Sequence, residues 1–390
     1  MWFRILVLAL GTFAIGTDSF VIAGILPNIA GGLHISLALA GLTVTVFALV
    51  YACGAPILAT FTGSLERRRL LLASLAILAL ANILSALATN LPIFMAARVL
   101  AAIGASLYTP TATAVVTTLA PEQQRGRALA MVMTGLTAST VLGVPLGVLI
   151  GSWLNWQATL MFVALLSVLA LVGVLTLFPQ VTAPPTVTLG TRIAFLKRPE
   201  LLLALFQTLL FLSGTQIIAT YNRVLLQQVT HLDDLAISLM LLLFGVAGVI
   251  GGIVGGYSAD RWGNIRTLVG GLLMLVAILF LLPWLASTAL GSAFALCVWG
   301  IAGWSLLPAQ QHRLVAFAPS TAGIILSLNS SAIYLGISSG SGLGSLLIQT
   351  SSLSVMCWIA ASIEVFALVF ILLTSRIGRQ AKEQSVIKAA

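Results

Sequence analysis

Three formal charges interrupt otherwise apolar stretches of this 390-residue chain: Asp18, Arg98 and Glu364. In a bilayer each costs about 2.5–3.5 kcal/mol at a helix centre, so such a residue faces a cavity or a partner. A carboxylate whose charged neighbours and degree of burial change with what surrounds it can take up and release a proton. Asp18 stands about 12 Å inside one end of its apolar run and Arg98 about 9 Å inside the matching end of its own, at 1.5 Å per residue. The depths nearly match, so the two can pair. Asp18 then carries the proton and Arg98 tunes it; a static ion pair between two helices is the alternative. Glu364 lies mid-run and reads as a neutral acid hydrogen-bonded to a neighbouring helix, with a second proton site as the other reading.

Other chemistries are poorly provided for. Cys53, Cys297 and Cys357 lie in apolar stretches without metal spacing and read as small buried residues. His34, His231 and His312 have no ligand spacing and read as surface residues. None of the three lysines, Lys197, Lys382 and Lys388, follows a glycine, so the chain has no P-loop and hydrolyses no ATP. No cluster of catalytic groups exists, so no enzyme, cofactor or metal site is expected. Any work must be driven by a gradient.

The elements that position these residues follow from composition. Hydrophobic residues make up 60% of the chain and charged residues 7%, with mean hydropathy +1.14. A soluble protein carries roughly 25% charged residues, so a soluble enzyme, a disordered chain and a secreted disulfide scaffold are excluded. Crossing a bilayer takes about 20 apolar residues. Twelve runs qualify: 5–26, 37–59, 70–89, 92–117, 128–150, 158–178, 201–222, 235–257, 267–286, 291–312, 322–347 and 354–374. They are too long and uniform for barrel strands. Pro56 and Pro145 are tolerated inside membrane helices. The first run is too long for a signal peptide and lacks a small-residue cleavage site.

Twelve spans return both termini to one side. Taking that side as cytoplasmic, the inner segments hold Arg4, Arg67, Arg68, Arg69, Arg125, Arg127, Arg192, Lys197, Arg198, Arg261, Arg266, Arg313, Arg376, Arg379, Lys382 and Lys388. The outer loops hold Arg223 alone. This asymmetry assigns the net charge of +9 to membrane topology and not to nucleic acid. The short loops point to a bacterial inner membrane. Residues 179–200, with Pro184-Pro185, form a cytoplasmic linker between bundles 1–178 and 201–375, followed by a tail, 376–390. The turn Gly63-Ser64-Leu65-Glu66-Arg67-Arg68-Arg69 has a counterpart six spans on, Gly256 to Arg266. Each can set an acid at a helix N-terminus and basic residues near headgroups. Duplication around a midplane site is a transporter plan.

Gly256-x-x-Ala259-Asp260-Arg261-x-Gly263-x-x-Arg266 resembles the loop signature of the major facilitator superfamily. Gly135-x7-Gly143-Val144-Pro145-Leu146-Gly147-x3-Gly151 resembles the antiporter motif of its drug:proton branch. Arg98-x5-Gly104-Ala105-Ser106 resembles its Arg-bearing motif, with Ala101 and Ala102 where Gln and Gly are usual. Residues 16–27 and 299–311 look like those of bacterial purine base, nucleoside and sugar efflux pumps; many of these carry Glu where this chain has Ser19, next to Asp18. Small residues let helices approach closely and Pro145 removes a backbone donor and kinks its helix. Span 5 is thus a hinge or seal, or a plain packing surface.

The resemblance implies a cavity lined by spans 1, 4, 7 and 10, flanked by 2, 5, 8 and 11, and places span 12 peripherally. Its candidate lining is Tyr51, Tyr108, Gln207, Gln216, Tyr221, Asn222, Trp299, Trp304, Asn329 and Tyr334. Amides can read ring edges and aromatics can stack, which suits a neutral, flat cargo. Trp153 and Trp156 read as interface belt residues. The expected protein is an all-α polytopic membrane protein of twelve transmembrane helices in two six-helix bundles, the major facilitator fold. It exports a small molecule, a purine base or nucleoside, by proton antiport as a monomer in the lipid bilayer. Sugar or drug efflux is the nearer alternative; a membrane enzyme or a channel is the more distant one.

Overall fold

The computed structural model describes residues 1–181, 189–230, 232–317 and 321–389; side chains at 189, 192–193, 228–230 and 376–389 are not described. His231, most of the expected linker and the side chains of the tail therefore lie outside the described residues.

Among the described residues, twelve helices are long and apolar enough to cross a membrane, one for each apolar run. They are span 1 (Trp2–Gly24), span 2 (Leu37–Phe61), span 3 (Arg67–Ala86), span 4 (Leu91–Leu119), span 5 (Glu122–Trp153), span 6 (Trp156–Leu177), span 7 (Pro199–Ala219), span 8 (Asp234–Trp262), span 9 (Asn264–Leu285), span 10 (Ala289–Phe317), span 11 (Ala322–Thr350) and span 12 (Leu353–Ser375). The largest shift from the sequence pattern is at span 5, which begins at Glu122 and not at 128. Large apolar side chains such as Phe61, Leu165, Phe280 and Leu346 are exposed on the outside of the bundle, as a lipid-facing surface requires.

Local chemistry fixes where the spans start. Ser36, Asn90, Asn155 and Asp233 cap spans 2, 4, 6 and 8, each accepting a hydrogen bond from a first-turn amide at 3.2, 3.1, 2.8 and 2.8 Å. Such caps contribute about 1 kcal/mol each. All four stand at the end of the bundle away from the termini, the far end.

Packing reveals the duplication. Span 1 packs on spans 5 and 6, span 3 on 4 and 6, and span 2 on 4. Six spans on, span 7 packs on 11 and 12, span 9 on 10 and 12, and span 8 on 10. The two six-helix bundles meet along two seams, span 2 against 11 and span 5 against 8. Close approach depends on glycine. A Cβ at Gly135, Gly143 or Gly147 would run into Ala9, Thr17 or Val21 of span 1. Gly336, Gly340 and Gly344 of span 11 stand in the same way against Leu209, Ser213 and Ile217 of span 7.

Span 5 is irregular before its proline and not at it. Ser139–Gly143 form a π turn, and the α-helix resumes at Val144 with Pro145 in its first turn. Pro145 lacks an N–H and crowds the carbonyl four residues earlier, at Val141; the wider turn accommodates both. Two expectations on single residues are corrected. Cys53 is exposed and not buried. Trp156 is buried against Phe94, edge to face at 5.7 Å, while Trp153 is exposed as a belt residue would be.

Candidate functional site

At the core of the first bundle, Arg98 Nη1 donates to Asp18 Oδ1 at 2.9 Å, and Nη2 to the Asp18 backbone carbonyl at 3.4 Å. Both side chains are essentially inaccessible, at 1% and 0% exposure. The pairing expected from their depths is present. The second carboxylate oxygen, Oδ2, has no hydrogen-bond partner. The guanidinium carbon of Arg98 lies 4.4 Å from the centre of the Phe47 ring on span 2. Delocalised charge over a ring face is held by the ring quadrupole, so Phe47 fixes the side of Arg98 that Asp18 does not.

From Phe47 the aromatic contacts lead out of the first bundle. Its ring centre is 6.4 Å from that of Tyr51, and Tyr51 stacks on Tyr334 of span 11 at 3.6 Å and 18°. The Tyr51 side chain is turned to Thr109, and that of Tyr334 to Ser19 and toward Asp18. Toward the far end this seam is polar: Ser338 donates to the Thr45 carbonyl at 3.0 Å, and the Thr45 and Ser341 hydroxyls are 3.0 Å apart.

Most of the other candidates are engaged in contacts between helices. The Tyr108 hydroxyl donates to the Leu8 carbonyl at 3.0 Å and fills the space that Gly11 leaves, tying span 4 to span 1. Tyr221 meets Ser345 at 2.8 Å beside Gly41, at the far end of the same seam. Trp299 packs edge to face on Phe244 at 5.4 Å, and Trp304 lies over Gly248, so both hold span 10 on span 8. Asn329 accepts from the Thr208 hydroxyl at 2.8 Å, and Gln310 Nε2 donates to the Ala204 carbonyl at 2.6 Å and to Thr208 at 3.2 Å, joining spans 7, 10 and 11. Gln216 bonds Thr220 on its own helix at 3.3 Å. Gln207 is buried with neither amide atom partnered. It sits one heptad from Gly214, on the face of span 7 that meets span 12.

Opposite that face, on span 12, stands Glu364, whose carboxyl lies against Gly214. Among the loop-signature residues, Gly263 takes φ of +90°, a conformation that favours glycine. Arg261 donates to the Tyr257 hydroxyl at 2.7 Å, Asp260 is exposed, and Gly256 faces open space. The acid that caps a helix is in the other copy. Glu66 accepts from the amides of Arg68 at 2.8 Å, Arg69 at 3.0 Å and Val181 at 2.8 Å. Partial burial raises its carboxyl, but these three amides and the Arg69 charge outweigh that and hold it below the ordinary value.

A family model described as Major Facilitator Superfamily matches residues 8–341. The chain belongs to the major facilitator superfamily. Two relatives are from Bacillus subtilis (strain 168). The uncharacterized MFS-type transporter YbcL is 34% identical over 92% of each chain. The uncharacterized MFS-type transporter YtbD is 31% identical over 94% of this chain and 93% of the other. The inner membrane transport protein YdhP of Escherichia coli (strain K12) is 31% identical over 89% of each. The fold matches the crystal structure of a D-xylose-proton symporter at TM-score 0.78 and 17% identity, over 95% of this chain and 97% of that one. It also matches a bacterial homologue of the human lysosomal transporter Spinster, in an inward-facing and occupied conformation, at TM-score 0.77 and 18% identity, over 95% and 96%. The chain is thus a multi-pass membrane transporter and not an enzyme.

Within this major facilitator protein one polar cluster went unread in the sequence. Arg223, 3% exposed, donates to the Gly24 carbonyl at 2.7 Å, to Asn28 Oδ1 at 2.8 Å and to Asp234 Oδ1 at 2.6 Å. It thereby clips the second bundle to span 1 at the far end. Span 1 breaks at Ile25, where the backbone leaves helical geometry just before Pro27, and the Gly24 carbonyl is open to a side-chain donor there. The available signal was Arg223 itself, the one basic residue that the topology left on the outer side.

Proposed function

We propose that this protein exports a small, uncharged, planar organic molecule, a purine base or nucleoside, across the bacterial inner membrane in exchange for protons. Both termini are cytoplasmic. The observation that carries this reading is the Asp18–Arg98 pair, fully buried yet joined through one carboxylate oxygen. A purely structural buried pair is stabilised most when its remaining lone pairs are satisfied. Oδ2 instead stays available to a proton or to a donor group on a cargo, and the two compete for it.

Bundles 1–178 and 201–375 rock about the seams of spans 2 and 11 and of spans 5 and 8, linked by 179–200. The motif residues Gly135, Gly143, Pro145 and Gly147 act at the packed face of span 5, and Gly256, Asp260, Arg261 and Gly263 at the span 8–9 turn. One proton entering down about 100 mV supplies about 2.3 kcal/mol, enough for a cargo gradient of somewhat under about 50-fold.

The test is proton flux in liposomes holding the purified protein under an imposed pH gradient, as adenine, adenosine, ribose or tetraphenylphosphonium is added. Adenine or adenosine should trigger a flux that Asp18→Asn abolishes while the variant still inserts. Retained flux in Asp18→Asn removes the proton from Asp18. Counterflow of a cargo with no proton movement makes the protein a uniporter.

A further inference from the structure

We propose that Tyr51 and Tyr334 are the two walls of a slot for one planar, uncharged, electron-poor nitrogen heterocycle, one wall from each bundle, and that their mutual stack is its closed form. The inference rests on the transporter reading and fixes the cargo class.

The geometry of the pair sets it apart. Aromatic pairs prefer offset or edge-to-face arrangements with centroids about 4.5–7 Å apart, because face-to-face stacking opposes two electron-rich surfaces. The other described aromatic pairs obey this, from 5.2 Å for Phe206 and Phe370 to 6.5 Å for Phe366 and Phe370. Tyr51 and Tyr334 stack at 3.6 Å and 18°. Two electron-rich faces held parallel suit a third ring that is electron-poor. Inserting it requires about 3.5 Å of separation, one carbon contact. Spans 2 and 11 belong to different bundles, so a small slide along their seam supplies it.

The surroundings set polarity and charge. Thr109 and Ser19 stand beside the two tyrosines, and the Ser19 hydroxyl, which donates to the Ile15 carbonyl at 2.8 Å, keeps lone pairs that can accept from a ring edge. The unpartnered Asp18 Oδ2 can accept from a ring N–H. Arg98 and Asp18 offset each other's charge and Arg98 is stacked on Phe47, so the pair carries no net charge to favour an anion or a cation.

The experiment is equilibrium binding of radiolabelled adenine, ribose and tetraphenylphosphonium to purified protein in nanodiscs, without a pH gradient. Stacking is the part of base recognition that tolerates any flat ring. Adenine should bind at least tenfold more weakly to Tyr51→Leu and Tyr334→Leu, and within about threefold of wild type to Tyr51→Phe and Tyr334→Phe, while ribose binds none of them. Should a leucine variant fail to insert, Tyr51→Met and Tyr334→Met take its place. Wild-type protein that binds ribose or tetraphenylphosphonium but not adenine overturns the slot, as do leucine or methionine variants that keep wild-type adenine affinity. The two readings fail separately. Adenine binding that follows the tyrosines without any proton flux keeps the slot and removes antiport. Asp18-dependent flux driven by ribose alone keeps antiport and removes the slot.

Discussion

Losing either partner of the Asp18–Arg98 pair strands a charge inside the protein, where it is 0–1% exposed. Breaking a buried pair from one side costs about 3–5 kcal/mol, whereas replacing both partners by uncharged groups of similar volume is close to neutral. Asp18→Asn and Arg98→Met should each lower the thermal midpoint in detergent, and the double variant should recover most of the loss. A double variant no more stable than the worse single one would show that other groups hold these charges. The pair was legible because a charge in an apolar run stands out. Phe47 was not, since one phenylalanine among many gives no signal until Arg98 is seen over its ring. For Glu364 the depth was readable, but the bare Gly214 that makes room for its carboxyl was not.

Helix ends and helix faces differ in what the sequence shows. Twelve spans followed from run length because the bilayer sets that length, and the capping residues Ser36, Asn90, Asn155 and Asp233 stand where short polar side chains interrupt apolar runs. The faces were hidden, because a residue apolar on all sides has no readable orientation. Tyr108 and Trp156 look like cavity and belt residues until Gly11 and Gly32 are found opposite them. Between the two turns, the degenerate copy carries the cap and the intact copy does not, since only Glu66 immediately precedes its helix. The Glu66 carboxyl lies below its ordinary value in the folded state, so its contribution is fully present above the unfolded value and fades as pH falls through the folded one. Glu66→Ala should therefore lower the thermal midpoint at neutral pH, by the equivalent of about 1 kcal/mol. The gap to wild type should close in acid. A gap that stays constant with pH would mean that the charge of Glu66 contributes nothing.

The pairing of spans repeats with a shift of six, so the two seams are related as well: span 2 on 11 is the counterpart of span 8 on 5. At the first seam Gly41, Thr45, Ser338 and Ser341 meet; at the second, Gly245 of span 8 stands against the Thr140 carbonyl in the π turn of span 5. Small, uncharged contacts of this kind let two rigid bundles slide without stranding a charge. Arg223 is different. It crosses between bundles with three directional hydrogen bonds, two of them to Gly24 and Asn28 of the first bundle, and it is the one basic residue that the charge asymmetry placed outside. A basic residue there runs against the topological bias, and its ties to both bundles account for it as a latch on the far end. Arg223→Ala removes every donor of that latch. In a cysteine-free background, spin labels at Gly31→Cys and Leu235→Cys, both exposed positions flanking the latch, should report a longer and broader distance distribution in Arg223→Ala than in protein with Arg223 intact. Asp234→Asn, which keeps an acceptor but loses the charge, should give an intermediate distribution. If all three distributions coincide, the seams alone hold the far end closed and Arg223 is an ordinary buried ion.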